Sequence, residues 1–456
     1  MDGGAAHLDP SIDTDRAARA LTVGRRIGSL MLVGGAPTED VEATIMRALD
    51  ALGLPGCDVG VTFATISISW SPGPGATPFT LMHLVRARSG SFSAQAEVAT
   101  LVRRLGADEI DLAAAETELT RIERGEQPYA RPLLLVAPGL SAAAATILFG
   151  GSLYDAGVTL AAVLAIEPLR ERLERTTIPP FFRLAIAVLL TTLLAVAIAG
   201  VLEGIDEGLV LTGALLQFLP GGALVSGIRD LIEGSIVSGS ARLAEAFLLA
   251  VAVACGAAIG LSIGDGLGVR LGLSTEGTMG WPSYVAVGAA AAAAVAYAIR
   301  LGVPAFALWG VAAAAAAGWA VMLLPDLVDG VAATFVAATL VGVLGRLLAR
   351  RAMAPSPLWT VPAILPLLPG LAMVEALLAQ TEAARIEGLA RAITIAFAVG
   401  TGVTLGDLLA TGVHRVRHRV VAPAVTAAHE GIDVFVAGAQ ERIGSLVRSD
   451  DRPDGH

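Results

Sequence analysis

Apolar and polar residues are patterned on two scales along this chain. Through residue 131 they recur at the spacing of amphipathic helices and strands, and from Leu133 to about Thr411 they merge into long runs of Ala, Leu, Val and Gly. A half-buried element alternates sides, whereas an element surrounded by lipid has no polar side to show. The pattern therefore predicts a soluble N-terminal part and a membrane part.

In the first part, Val41, Ile45, Leu49 and Leu52 share one helical face. Thr38 stands where an N-cap belongs, Glu39, Asp40 and Glu42 suit the positive end of the helix dipole, and Gly53 ends it. Between Asp58 and Trp70 the period changes to alternation, with Val59, Val61 and Phe63 on one face; a Pro/Gly turn at Ser71–Pro78 and a second strand-like run, Phe79–Arg86, follow. Helical stretches near Ser93–Leu105 and Asp108–Arg124 complete a small α/β unit. An apolar helix from Gly24 runs into Gly34-Gly35-Ala36, read as a structural turn because the acidic residues after it would repel an anion.

Runs long enough to cross roughly 30 Å of hydrocarbon, about 20 residues at helical rise, lie near 133–151, 152–166, 182–202, 209–228 and 240–264. Five more lie near 283–299, 301–323, 331–349, 359–379 and 388–411. With the N-terminus inside, these ten spans put Arg121, Arg124, Arg131, Arg170, Arg172, Arg175, Arg183, Arg229, Arg242, Arg300, Arg346, Arg350, Arg351, Arg415, Arg417 and Arg419 on the inner side. An arginine excess there is the usual signature of cytoplasmic loops. The loops 203–208 and 325–330 hold no Arg, and Arg270 and Arg385 are the exceptions.

Composition agrees: 55% of residues are hydrophobic, 16% are charged, and mean hydropathy is +0.71. The acidic start, with Asp2, Asp9, Asp13 and Asp15, argues against a cleaved secretory signal and for a cytoplasmic N-terminus. A net charge of −10 disfavours nucleic acid, and all 31 basic residues are Arg, so a phosphate-binding P-loop with its lysine cannot be written. Cys57 and Cys255 read as isolated thiols, and no cofactor or metal is called for.

Residues 219–242 and 368–391 align without a gap at an offset of 149, with nine of 24 positions identical. Leu219-Pro220-Gly221, Glu233 and Gly239-Ser-Ala-Arg242 recur as Leu368-Pro369-Gly370, Glu382 and Gly388-Leu-Ala-Arg391. The offset carries the fourth and fifth spans onto the ninth and tenth, so each half holds five and the halves enter the membrane from opposite faces. The expected fold is a polytopic α-helical membrane protein of about ten helices, a 5+5 inverted repeat with an N-terminal α/β cytoplasmic domain. Its divisions are 1–131 cytoplasmic, 132–270 first repeat, 281–411 second repeat and 412–456 a cytoplasmic tail, with a basic run His414–Arg419 and an amphipathic stretch Ala422–Val447.

Inverted repeats with interrupted helices place substrate near the midplane. Pro220, Gly221, Pro369 and Gly370, with Gln217 three residues before the first break, are the candidate substrate-binding residues; a plain proline kink is the competing reading. Ionisable groups within spans mark ion pathways, which makes Glu375, Asp230, Asp155 and Glu245 the proton-coupling candidates. Asp155 near the start of the second span, Glu245 early in the fifth and Asp407 late in the tenth lie nearer the membrane surfaces, where a solvated cap or an Arg partner is the plainer role. Arg229, Asp230, Glu233 and Arg242 form either a bracing ion-pair network or a relay, and Arg391 repeats Arg242. Gly256-x-x-x-Gly260 and Gly402-x-x-x-Gly406 suit close helix packing. Gly260-Leu-Ser-Ile-Gly264 lacks the strand and base of a nucleophile elbow, and Asp265 and Asp407 fall at opposite faces, so no enzyme is expected.

Taken together, Gly34-Gly-Ala-Pro-Thr-Glu-Asp-Val-Glu42, Leu52-Gly-Leu54, Gly150-Gly-Ser-Leu-Tyr-Asp155, Leu219-Pro-Gly221, Ile228-Arg-Asp230, Gly239-Ser-Ala-Arg-Leu-Ala-Glu245 and Leu368-Pro-Gly370 resemble the bacterial threonine/serine exporter family over nearly the whole chain. The resemblance implies a larger N-terminal and a smaller C-terminal unit fused in one chain, about ten spans in the inner membrane with both termini cytoplasmic, and proton-driven efflux of threonine and serine. Two-chain relatives point to a dicarboxylate such as succinate as the alternative solute, and a channel or sensory module is the other reading. Partners are then a small polar solute, protons and the bilayer, with homo-oligomerisation left open.

Overall fold

The computed structural model describes residues 14–72, 77–85, 92–125, 127–269, 281–324, 330–379 and 381–412. Arg270 and the stretches expected at His414–Arg419 and Ala422–Val447 lie outside the described residues.

The chain opens with helices α1 (Thr14–Val33) and α2 (Thr38–Ala51), a sheet of β1 (Asp58–Val61), β2 (Thr65–Trp70) and β3 (Phe79–Leu84), and helices α3 (Phe92–Gly106) and α4 (Leu112–Glu123). All pairings are antiparallel in the order β1-β2-β3, with Val59 opposite Ile68 and Ile66 opposite His83. The alternating run 58–70 is thus two strands, not one. Thr62 N–H donates to the Thr65 carbonyl at 2.8 Å, and Phe63 sits in the turn between them. Alternation gives a face but not a turn, so the break was not readable from periodicity.

Ile66, Ile68 and Trp70 project from β2 into a core shared with Ile27, Ile45, Leu49, Val98 and Leu101. Helix α2 ends at a left-handed Gly53 (φ 85°), with Leu54 N–H reaching back to the Leu49 carbonyl at 2.9 Å, the geometry of a Schellman cap. The acid at 111 caps α4 by accepting from Ala114 N–H at 2.8 Å.

Among the described residues twelve α-helices follow: α5 (Arg131–Leu148), α6 (Leu153–Glu174), α7 (Pro180–Ala199), α8 (Glu207–Leu216), α9 (Gly221–Ile232), α10 (Ile236–Gly266), α11 (Ser283–Arg300), α12 (Ala305–Met322), α13 (Gly330–Ala352), α14 (Pro357–Ala363), α15 (Gly370–Leu378) and α16 (Glu382–Gly412). Among the described residues eight stretches are long and apolar enough to cross a membrane, or nine if α8 and α9, bent by 53°, form one span. This is a multi-pass membrane protein. Helix α6 is outside that set: its apolar first part runs on into Glu167, Arg170, Glu171, Arg172 and Glu174.

Packing places glycines where backbones meet. Helix α10 lies on α7, with Gly256 against the Ala185 carbonyl and Gly260 against Thr192. Helix α16 lies on α13 in the same manner, Gly402 against the Phe335 carbonyl and Gly406 against the Thr339 carbonyl. Helices α5 and α11 pack together, and the Ser141 hydroxyl donates to the Ala293 carbonyl at 3.0 Å.

Candidate solute cavity

The two Leu-Pro-Gly motifs adopt one backbone form. Pro220 has φ −81° and ψ 52°, and Gly221 N–H donates to the Leu219 carbonyl at 2.9 Å. Pro369 has φ −77° and ψ 44°, and Gly370 N–H donates to the Leu368 carbonyl at 2.8 Å. These are inverse γ-turns centred on a residue that has no N–H to give the helix ladder. The glycine beside each proline packs against a leucine of the other half. A Cβ on Gly221 would stand 2.9 Å from Leu368 Cδ1, and one on Gly370 would stand 2.7 Å from Leu216 Cδ1.

A cavity of about 320 Å³ opens at the first break, within the range of small-molecule sites. Leu219 to Ala223 and Ser226 form one wall, and Tyr297, Ser356, Thr360 and Thr404 another. The Ser226 hydroxyl donates to the Gly222 carbonyl at 2.5 Å, Thr360 to the Ser356 carbonyl at 3.3 Å and Thr404 to the Gly400 carbonyl at 2.8 Å. Each oxygen keeps lone pairs with which to accept from a solute. At the start of α9 the N–H groups of Gly222 and Ala223 precede the first i to i−4 bond, which Leu224 makes to Pro220 at 3.0 Å.

Arg229, Arg242, Glu245 and Asp407 give the cavity a charged end. Beside it, the α9–α10 turn closes on Gly234 (φ 94°), with Ser235 N–H on the Asp230 carbonyl at 2.7 Å. The turn sets Arg242 Nε 2.9 Å from the Asp230 carboxylate, which has no exposed surface. Arg229 Nε donates to Glu233 at 2.7 Å, and another guanidinium nitrogen lies 3.7 Å from Asp407; Arg346 reaches Asp407 at 4.0 Å. Arg229 and Arg242 are 8% and 5% exposed, so these charges rest on one another rather than on water.

Residues of the N-terminal helices and sheet complete this end. Leu32 to Gly35, Pro37, Phe63 and Phe92 line the cavity. The Asp230 carboxylate accepts from Thr38 N–H at 2.9 Å, and Arg242 donates to the Gly35 and Ala36 carbonyls at 3.2 and 2.8 Å. Arg229 holds the Asp40 carboxylate with two nitrogens, each at 3.2 Å. Thr38 is therefore not the N-cap of α2: Pro37 occupies that position without a side-chain cap, and a carboxylate from α9 serves the helix end instead. Burial pushes the Asp40 carboxyl above the usual carboxylate range, Arg229 pulling the other way.

Of the residues singled out in the sequence, Pro220, Gly221, Arg229, Arg242 and Glu245 line the cavity, and Asp230 stands directly behind Arg242. Gln217 ends α8 with Nε2 on the Ala214 carbonyl at 3.3 Å. Pro369 and Gly370 are not among the cavity's lining residues, and Gly370 lies against Leu216 at the end of α8. Glu375 pairs with Arg391 at 3.6 Å, both well exposed. Asp155 completes a capping box with Ser152 and accepts from Asp206 N–H at 2.9 Å, which ties the start of α6 to that of α8. Sequence reasoning missed the cavity-lining role of Gly34, Gly35 and Pro37, and the only signal was their place beside an acidic helix start.

A family model described as "Putative threonine/serine exporter" matches residues 23–264, and a second, described as "Threonine/Serine exporter, ThrE", matches 286–409. The chain belongs to the threonine/serine exporter family. It is 29% identical over 422 residues to a "Probable threonine/serine exporter" of Mycobacterium tuberculosis (strain ATCC 25618 / H37Rv), covering 90% of this chain and 80% of that one. It is 27% identical over 419 residues to a "Threonine/serine exporter" of Corynebacterium glutamicum, covering 88% and 85%. These relatives are named as exporters, and the chain is a transporter rather than an enzyme. No solved structure matches it significantly.

Proposed function

We propose that this protein exports threonine and serine across the bacterial inner membrane, driven by the proton-motive force, and that the solute occupies the cavity at the Pro220–Gly221 break. The cavity carries the reading: it joins a broken helix, acceptor hydroxyls and a charged end in one small space. That combination suits a zwitterion, whose carboxylate and ammonium need donors and acceptors a few ångströms apart. Arg229 and Arg242 already hold carboxylates of the protein, which weighs against a dicarboxylate.

In this reading the chain has ten spans in two inverted halves, with both termini and residues 1–131 cytoplasmic. Counting α6, α8 with α9, and α14 with α15 each as one span gives five helices per half. The matching γ-turns and the matching glycine seams of α10 on α7 and α16 on α13 support the pairing. Glu245 and Asp230 are the proton carriers nearest the solute, with Glu375 and Asp155 serving the opposite face. The test is efflux of labelled threonine, serine and succinate from preloaded cells, with and without an uncoupler. Saturable, uncoupler-sensitive efflux of threonine and serine is expected; gradient-independent, non-saturating flux identifies a channel instead.

A further inference from the structure

Most of the charge at the cavity's polar end is answered close by. Arg242 is matched by Asp230 at 2.9 Å, and Arg229 by Glu233 at 2.7 Å and by Asp40 at 3.2 Å. Those three acids stand outside the wall, whereas the carboxylates of Glu245 and Asp407 are in it. Arg346 approaches only to 4.0 Å from Asp407 and is partly exposed. Among the described residues negative charge therefore exceeds positive at this end, and a cation entering the cavity offsets it.

We propose that Asp407 receives the ammonium group of the solute, with the Thr404 and Thr360 hydroxyls accepting its remaining hydrogens, and that this carboxylate selects an amino acid over a hydroxy acid of the same size. The proposal rests on the reading of the cavity as the solute site, and it names the group that discriminates there.

Three observations single out Asp407. It is the more enclosed of the two wall carboxylates, 4% exposed where Glu245 is half-buried, and an ion pair gains strength as water is excluded from it. Its guanidinium neighbours stand at 3.7 and 4.0 Å, beyond hydrogen-bond reach. Arg229 keeps Glu233 and Asp40 whether or not it also faces Asp407, so it need not compete with an incoming cation. Finally, Asp407 follows Thr404 by one helical turn, on the same face of α16. The Thr404 hydroxyl gives its hydrogen to the Gly400 carbonyl at 2.8 Å, and that of Thr360, across the cavity on α14, gives its hydrogen to the Ser356 carbonyl at 3.3 Å. Both oxygens are thereby left as acceptors. An ammonium group carries three N–H donors and no acceptor, and one carboxylate with two such hydroxyls is a matching set. A solute carboxylate placed there instead would meet lone pairs and a like charge.

The test uses the full-length chain, purified in detergent, with Cys57→Ser, Cys255→Ser and a reporter Ala223→Cys in the cavity wall. It measures the solute concentration that halves the rate at which a small maleimide alkylates the reporter at fixed pH. Threonine is compared with 3-hydroxybutyrate, which is threonine without its amino group. In the parent, 3-hydroxybutyrate is expected to need at least about ten times the concentration of threonine. Asp407→Asn keeps the shape and removes the charge; it is expected to raise the threonine value at least about tenfold and to leave that of 3-hydroxybutyrate unchanged or lower, so that the ratio falls toward one. Asp407→Glu is expected to restore part of threonine's advantage. A purely structural role would weaken both solutes together. A parent that treats the two solutes alike, equal weakening of both by Asp407→Asn, or a ratio that collapses in Glu245→Gln but not in Asp407→Asn overturns the proposal. Protection by neither solute in the parent overturns the cavity reading and the proposal with it. Absence of threonine efflux with the protection pattern intact overturns the exporter reading alone.

Discussion

Replacing Asp230 by Ala is the sharpest perturbation available at the seam between the two parts of the chain. The carboxylate has no exposed surface, accepts from Thr38 N–H at 2.9 Å and stands 2.9 Å from Arg242 Nε. Its removal takes a carboxylate away from a guanidinium that is 5% exposed, a change that costs about 3–5 kcal/mol in buried pairs. Loss of the carboxylate from the α2 start adds about 1 kcal/mol. Arg242 keeps the Gly35 and Ala36 carbonyls at 3.2 and 2.8 Å, so the lower end, about 4 kcal/mol in total, is expected. Arg242→Met alone strands the carboxylate and should cost a similar amount. The double variant has neither charge to strand and should recover about 1–3 kcal/mol of the sum. The assay is a double-mutant cycle on detergent-purified protein, by thermal unfolding and by protease resistance of the N-terminal domain. Additive losses, or an Asp230→Ala cost below about 1 kcal/mol, would refute the reasoning, since the pair would then be solvated and the domain held by something else.

Gly406→Ala drives a Cβ onto the Thr339 carbonyl and to 2.7 Å from Val343 N, so a loss of about 1–3 kcal/mol is expected in thermal unfolding. Gly288→Ala, with nothing within 4 Å, should be neutral or gain up to about 1 kcal/mol; equal effects at the two sites would discredit the helix seam. Pro220→Ala restores an N–H to the break and should lower threonine efflux at least about tenfold, 1.4 kcal/mol in the barrier, with normal amounts of protein in the membrane. Burial raises the Cys57 thiol to about 11, so its alkylation in the native protein should stay slow until the buffer nears that value. Fast labelling at neutral pH would show that its pocket opens.

The membrane part was legible because lipid imposes a one-dimensional rule, and long apolar runs satisfy it without reference to any distant residue. The Leu-Pro-Gly pair was legible because the repeat displays it twice; its geometry, an inverse γ-turn in both copies, follows from proline's missing donor. Asp155 shows where the sequence stopped short. An acid near a helix start fits both a proton site and a capping box, and only the Ser152 and Asp206 contacts distinguish what it bonds. The contacts made by residues 34–40 were least legible of all. Thr38 and Asp40 looked like local helix-start chemistry, yet they bond Asp230 and Arg229, which are 192 and 189 positions away. Pairings of that separation leave no periodic trace.

The most direct test of the account is threonine accumulation in vesicles reconstituted with the purified Ala223→Cys chain under an imposed pH gradient, before and after alkylation of that cysteine. Accumulation that needs the gradient and stops on alkylation is the predicted result. Accumulation that survives alkylation of the cavity wall, or that proceeds without a gradient, would contradict it.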